Sequence, residues 1–302
     1  MITARHDGND AADEPVVVPL RQGPTVLRIA LGGQLRQLRE RCGISREAAG
    51  DAIRGSHAKI SRLELGQVGF KQRDLLDLLT LYGVTDPDER ASFVALARRA
   101  NTPGWWHRYS DVLPTWFQTY LGLEQAAAVI RGYEAQFVPG LLQTGNYARA
   151  VIQLAHGDEP DEEIQRRVAL RIERQKILTH PDAPTVWLVI DEAVLHRPYG
   201  GPAVLRGQIE HLLQVGELAT VTIQVVPYAV GGHAAAGGGF AILRFAAPEL
   251  PDIVYLEQLT SALYLDKRSD LDQYLGVMDR LAVQAYTPEQ TRTFLTGLLT
   301  EY

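Results

Sequence analysis

Apolar residues in the first third of the chain recur at the spacing of amphipathic helices. From Val26 onward, leucines occur at i, i+4, i+8 and i+11, namely Leu27, Leu31, Leu35 and Leu38. This spacing places them on one face of a helix, which Gly43 is expected to end. Ser45 and Ser56 are predicted to cap a second and a third helix, and a fourth and a fifth are predicted at about 72–82 and 88–100. The pattern predicts a compact, all-helical domain over residues 25–100.

The pattern changes at residues 101–120, where prolines and aromatic residues are concentrated. Six aromatic side chains fall within 16 positions: Trp105, Trp106, Tyr109, Trp116, Phe117 and Tyr120. We predict that this segment connects two domains. Two interpretations of the aromatic cluster stay open: packing between the domains, or a ligand pocket or partner groove at their junction.

Helical and strand-like segments are mixed after residue 120. Helices are predicted at about 122–131, 144–156, 161–179, 202–216, 267–285 and 288–301. Strands are predicted where β-branched and aromatic residues lie between turn residues, at Thr185–Asp191, Thr220–Pro227, Gly239–Phe245 and Asp252–Leu259. The predicted fold class is therefore α+β and multidomain, with a mixed α/β domain over residues 121–302 after the five-helix domain. Residues 1–24, which are polar, are predicted to be a disordered arm.

Composition and charge narrow the classes of function. Of the 302 residues, 46% are hydrophobic and 22% are charged, which is typical of a globular protein. The net charge of −6 is uneven: residues 28–75 hold ten basic and five acidic residues, a net +5, whereas residues 101–302 hold 15 basic and 23 acidic residues, a net −8. The first region suits a polyanionic partner, which the second region would repel.

Some functions are disfavoured by what the sequence lacks. The single cysteine, Cys42, excludes an intrachain disulfide and a cysteine-rich zinc site. No apolar run approaches the ~18 residues that a membrane span needs, and the first residues do not resemble a secretion signal. We expect a cytoplasmic protein without a membrane partner, a metal or a cofactor.

The strongest chemical signal is residues 35–66, LRQLRERCGISREAAGDAIRGSHAKISRLELG. A helix that enters the major groove needs an apolar inner face, hydrogen-bond donors on its outer face, and an N-terminus directed at the DNA. The segment that begins at Ser56 has Ile60 and Leu63 for the inner face. Its outer face would carry His57, Lys59, Ser61 and Arg62. Gly50, in the preceding predicted helix, is small enough to let the two helices cross closely.

This stretch resembles the lambda-repressor-like, Xre-type helix-turn-helix domain over residues 28–83. The resemblance implies a partly buried, structural ion pair between Arg39 and Glu64. It also implies phosphate contacts from Arg46, Lys59 and Ser61. Base-edge contacts would come from His57, Ala58 and Arg62, with Ser56 at the start of the helix.

The remainder resembles bacterial antitoxin-like transcriptional regulators, which fuse an Xre-type domain to a C-terminal domain of uncharacterised activity. The likeness is carried by GWW at 104–106, YLGLEQAAAVIRGYEAQFVPGLLQTGNYARAVI at 120–152, VWLVIDEAVLHRPYGGP at 186–202 and GGGFAILRF at 237–245. The resemblance implies a short partner protein encoded nearby. It supplies neither a catalytic residue nor a ligand.

Together, these features predict a sequence-specific transcriptional regulator that binds double-stranded DNA as a homodimer, because one such module buries too little surface for tight binding. The C-terminal domain would sense a small-molecule effector or hold the partner protein. Two alternatives stay open: an interaction protein whose DNA binding is secondary, and an enzyme that uses Asp191, Glu192 and His196. The enzyme is disfavoured because HExxH, GxSxG and phosphate-loop motifs are missing from the sequence, so no catalytic residue is expected.

Overall fold

The computed structural model describes residues 23–247 and 250–301, and these form helices and a six-stranded sheet. The arm predicted at residues 1–24 lies outside the described residues except for Gly23 and Pro24. Pro24 is the first residue of a helix, a position where its fixed φ angle and missing N–H are tolerated.

Five helices make up the N-terminal part, as the sequence predicts. They are α1 Pro24–Arg41, α2 Arg46–Ala52, α3 His57–Glu64, α4 Gln72–Leu81 and α5 Pro87–Ala100. The predicted caps of α2 and α3 are confirmed: Ser45 Oγ accepts a hydrogen bond from the Ala48 N–H, and Ser56 Oγ accepts one from the Lys59 N–H. The apolar faces meet in one core that includes Leu31, Leu35, Ile53, Ile60, Leu63 and Leu75.

Two glycines let α3 approach its neighbours closely. A Cβ atom on Gly50 of α2 would lie 2.9 Å from the carbonyl carbon of Ser56, which confirms the close crossing predicted there. A Cβ atom on Gly32 of α1 would lie 2.4 Å from the carbonyl oxygen of Leu63. Both neighbours are backbone, so a larger residue at either position would displace α3.

The connecting segment contains a short 3-10 helix, Trp105–Tyr109, and the start of α6, Thr115–Ala126. The helix predicted at 122–131 is wrong in its second half, since Val129–Glu134 form strand β1. A short apolar run has no period that separates a strand from a buried helix. The strand is decided instead by its partners on both sides.

The C-terminal part has five further helices: α7 Gly145–His156, α8 Asp161–Gln175, α9 Pro202–Val215, α10 Arg268–Gln284 and α11 Pro288–Leu298. A 3-10 helix, Lys176–Thr179, continues α8. The remaining strands are β2 Thr185–Asp191, β3 Val221–Val226, β4 Phe240–Arg244, β5 Ile253–Glu257 and β6 Ala262–Leu265. Strands β1 and β6 were missed by the sequence analysis, whereas the other four confirm it.

The strands form one sheet in the order β3-β2-β1-β4-β5-β6. Strands β1, β2 and β3 are parallel, and β4, β5 and β6 add antiparallel pairs. One face carries Ile130, Val186 and Leu243 in the largest apolar core, and the opposite face packs Tyr133 and Phe240 with residues of α10. Mixed strand directions and helices on both faces confirm the predicted α+β fold class.

Candidate nucleic-acid interface

Helix α3 turns one face into the core and the other into solvent. Ile60 and Leu63 are buried, whereas His57, Ala58 and Arg62 are exposed. The N-cap Ser56 is exposed, and Ser61 and Lys59 are part-buried. The C-terminal part of the chain therefore leaves the outer face of α3 open to a partner.

The carboxylate of Glu64, at the end of α3, holds three helices together. It accepts hydrogen bonds from Arg39 of α1, at 2.5 Å from Nε and 3.1 Å from Nη2, and from Nε of Arg46 of α2 at 3.0 Å. The side chains of Arg39 and Glu64 are only 8% and 3% exposed. Arg39 also donates from Nη1 to the carbonyl oxygen of Ile44, at 2.9 Å. Its hydrogen bond to Glu64 raises the pKa of Arg39 above the ordinary arginine value, so the guanidinium stays protonated.

Arg46 occupies two environments at once. Its Nε is bonded to Glu64, yet its side chain remains 38% exposed. Arg39 also lies 3.4 Å from Glu40, which is paired in turn with Arg36. These three arginines and two glutamates leave an excess of one positive charge, part of which lies on the outer side at Arg46. This arrangement was not foreseen from the sequence, where Arg46 was assigned to a phosphate alone.

Lys59 is paired with an acidic residue that the sequence analysis did not identify. Its Nζ lies 2.5 Å from Oδ2 of Asp74, in the first turn of α4, and the side chain is 31% exposed. An acidic residue in a first turn is ordinarily explained by the helix dipole, so its sequence position gives no sign of this pairing.

The turn between α2 and α3 adds a further exposed cation, Arg54, to which the sequence analysis assigned no DNA contact. Its φ angle is +52°, in the left-handed region that favours glycine. Among the described residues other than glycine, it is the one with a positive φ angle. The side chain is exposed beside the start of α3.

The candidate catalytic residues of the C-terminal part form two separate hydrogen-bonded groups. Asp191 Oδ2 accepts a hydrogen bond from the Tyr133 hydroxyl at 3.2 Å and lies 3.5 Å from His233 Nε2. Its Oδ1 caps the next turn through the Ala193 N–H.

Glu192 turns to the other group. Its Oε2 accepts the Tyr228 N–H at 2.7 Å, and its Oε1 lies 3.2 Å from His196 Nε2. The His196 ring stacks on Tyr228. These contacts are those of a structured turn, and they do not join Asp191 to His196 in one catalytic group.

The described part of the chain contains neither a candidate metal site nor a candidate membrane-spanning helix. No three His, Cys, Asp or Glu side chains there are grouped closely enough to hold a metal ion. Of the helices in residues 23–247 and 250–301, none combines the length and the apolar character needed to cross a membrane.

Two family models match the chain. A helix-turn-helix domain matches residues 30–93, which contain the outer face of α3 and the ion pair of Glu64. A domain of unknown function, DUF5753, matches residues 117–297, more than half of the chain. No curated protein and no solved structure shows a significant match.

Proposed function

The chain belongs to the DUF5753 family and carries a helix-turn-helix domain, and from that premise we propose that it is a sequence-specific, DNA-binding transcriptional regulator. The observation that carries the proposal is the outer face of α3, which is exposed, polar and flanked by cations. We further propose that the domain is of the Xre type and acts in the cytoplasm as a homodimer. A dimer would present two copies of α3 to half-sites one helical turn apart.

The proposed contacts divide into two kinds. His57, Ala58 and Arg62 would reach base edges, because they are exposed along α3 from its N-terminal end. Arg62 Nε bonds to the carbonyl oxygen of Ala58 within its own helix, at 3.3 Å. This contact leaves the two terminal amino groups of the guanidinium for a bidentate contact with guanine.

The second kind of contact fixes the helix on the backbone of the duplex. Phosphate contacts would come from Arg46, Lys59 and Ser61, with the N-terminus of α3 at Ser56 directed at the same strand. The excess positive charge of the ion-paired group that contains Glu64 supports this role for Arg46. Because such contacts are sequence-independent, their loss would weaken binding to all duplexes alike.

Selection of duplexes from a random pool by the full chain, followed by titration of Arg62→Ala, tests the proposal. We expect Arg62→Ala to cost about 1–3 kcal/mol on the selected sequence and to relax its preference at one base pair. Arg98→Ala, which removes another exposed arginine, from α5, is the matched control and should bind as wild type. Equal binding by wild type and Arg62→Ala would contradict the assignment.

We propose that the C-terminal part regulates DNA binding, through an effector or a short partner protein, and does not catalyse a reaction. The turn contacts of Asp191, Glu192 and His196 support this assignment. Sedimentation of the full chain with and without the selected duplex measures whether the chain is a dimer in each case. A chain that selects no duplex but co-purifies with a short protein would instead favour an antitoxin-like interaction protein.

A further inference from the structure

A cavity of about 560 Å³ lies where the start of α1 meets the connecting segment, α6 and the end of α8. This volume falls within the range of small-molecule sites. Its apolar lining comprises Pro24, Pro103, Trp105, Leu121 and Ile177. Both the helical N-terminal part and the C-terminal part therefore contribute walls to it.

The charged side chains of the lining are paired with one another. Glu124 Oε2 is 2.5 Å from Arg174 Nε, and Glu173 Oε2 is 2.9 Å from Lys176 Nζ. The remaining two titratable side chains of the lining, His180 and Asp182, are mostly exposed, and their nearest polar atoms lie 3.8 Å apart. A charged ligand would have to compete with one of these pairs for its counter-ion. An uncharged ligand would bury apolar surface without that cost.

Trp105 offers a flat surface to such a ligand. Its indole is part-buried and packs edge to face against Trp106 and Tyr109, with ring centroids 5.9 and 6.4 Å away. These contacts restrict the orientation of the ring that lines the cavity, and an aromatic ligand gains from packing against a fixed ring. Gln125, also in the lining, supplies an amide donor and acceptor.

Helix α1 connects this cavity to the DNA-binding surface. Its first residue, Pro24, lines the cavity, and Arg39 in its last turn holds Glu64 of α3. A single helix of 18 residues spans about 27 Å. A Cβ atom on Gly122 of α6 would meet Thr25 side-chain atoms, so the first turn of α1 is packed directly on α6. A displacement at the cavity would therefore reach α3 through a rigid element.

We propose that this cavity binds an uncharged small molecule with a planar ring, and that its occupancy changes DNA affinity through α1. The predicted change in DNA affinity rests on the proposed function. Binding of the ligand in the cavity does not, and it can be measured without DNA.

The test uses a pair of fluorescent probes that differ in charge. N-phenyl-1-naphthylamine is uncharged, and 8-anilino-1-naphthalenesulfonate adds a sulfonate to the same rings. We expect the uncharged probe to bind the full chain with one site and at least tenfold more tightly than the anion. Equal affinities would overturn the proposed ligand class.

Variants assign the binding to this cavity. Ile177→Trp fills the cavity from the 3-10 helix that continues α8, and Gln125→Trp covers it from α6, so each should weaken binding of the uncharged probe at least tenfold. Leu154→Trp, at a position 62% exposed on α7, adds the same indole away from the lining and should not. Either filling variant that folds, as judged by its unfolding transition, is sufficient, and unchanged binding by a folded variant would overturn the site.

The coupling is measured by titrating the selected duplex with and without saturating uncharged probe. We expect at least a fivefold change in DNA affinity in wild type and none in Ile177→Trp. No change in wild type would overturn the coupling while the probe titration still decides the cavity. A chain that binds the probe but no duplex would show that the proposed function has failed and the site has not.

Discussion

The two halves of the chain each bury an arginine against a glutamate, but the third group that bonds to the glutamate differs between them. In the N-terminal part, Glu64 accepts from Arg39 and also from Arg46, whose side chain reaches solvent. In the C-terminal part, Glu124 accepts two hydrogen bonds from Arg174 and one from the Tyr120 hydroxyl. The third group at Glu64 is therefore a second cation, Arg46, whereas the third group at Glu124 is the neutral hydroxyl of Tyr120.

The surroundings enlarge this difference. The Arg174 guanidinium lies 5.5 and 5.1 Å from the ring centroids of Phe117 and Tyr120, so aromatic rings cover it. Burial raises the pKa of Tyr120 well above its ordinary value, which keeps its hydroxyl protonated as a donor to Glu124. A buried arginine–glutamate pair thus fixes helices in both halves. Of the two pairs, the one at Glu64 leaves positive charge on a surface that a polyanion can reach.

Removing either carboxylate should have the largest effect. Glu64→Ala and Glu124→Ala each leave a buried guanidinium without its partner, which typically costs about 3–5 kcal/mol of unfolding free energy. Urea denaturation measures both losses. We also expect Glu64→Ala to lower DNA affinity directly, because α3 loses its tie to α1, whereas Glu124→Ala leaves that tie intact.

A control for this pair is Asp272→Ala. Asp272 also pairs with an arginine, Arg268, but both side chains are more than half exposed, so its removal should leave the denaturation curve nearly unchanged. Similar stabilities for Glu64→Ala and wild type would show that the buried pair of the N-terminal part does not hold its helices.

The next effect concerns Glu134, at the end of β1, whose side chain is part-buried, whereas Glu64 and Glu124 are buried and paired with arginines. Burial, together with the charge of Glu257, raises the pKa of Glu134 from 4.5 to about 7. A raised pKa means that the folded state binds the proton more tightly than the unfolded state, so stability is lost as the pH rises from about 4.5 through 7. Glu134→Gln should therefore be more stable than wild type at pH 8, by about 3 kcal/mol.

The pH dependence of that difference is the check. Denaturation of both proteins at several pH values should show the gap narrow as the pH falls through 7 and close below about 4.5, where wild type carries the proton in both states. If the difference in unfolding free energy did not change with pH, glutamine would stabilise the protein for a reason other than the removal of a charge.

A smaller effect separates the two roles of Lys59, at the phosphate and at Asp74. Lys59→Ala should weaken all duplexes by about tenfold or less and reduce the salt dependence by about one counterion. Asp74→Asn breaks the same ion pair but keeps the cation, so it should retain or increase DNA affinity. If both variants lose DNA affinity equally, Lys59 acts only by supporting α4.

The smallest effect tests the turn before α3. Arg54→Gly relieves a left-handed backbone angle and should raise the unfolding free energy by about 0.5–1 kcal/mol. Arg54→Ala keeps the strained angle and should bring no such gain. A loss of DNA affinity common to both variants, measured by titration, would add Arg54 to the phosphate contacts.

Local signals in the sequence determined the helices of the N-terminal part. The leucine spacing of α1 and the serine caps of α2 and α3 act within a few residues of where they stand, so their positions were predicted to within one or two residues. The run of β-branched and aromatic residues in β2, between turn residues, was equally informative, and its bounds were predicted as observed. The inward and outward faces of α3 follow from its period alone.

Only the tertiary structure decided which distant residues meet. Strand β1 reads as helix because its neighbours in sequence are alanines, and its hydrogen-bond partners lie in β2 and β4, more than 50 residues away. The pairing of Lys59 with Asp74, the sharing of Glu64 by two arginines, and the cavity at the start of α1 likewise join elements that the chain brings together only on folding. A capping bond is satisfied within one turn, whereas a sheet, an ion pair or a cavity exists only once separate elements have packed.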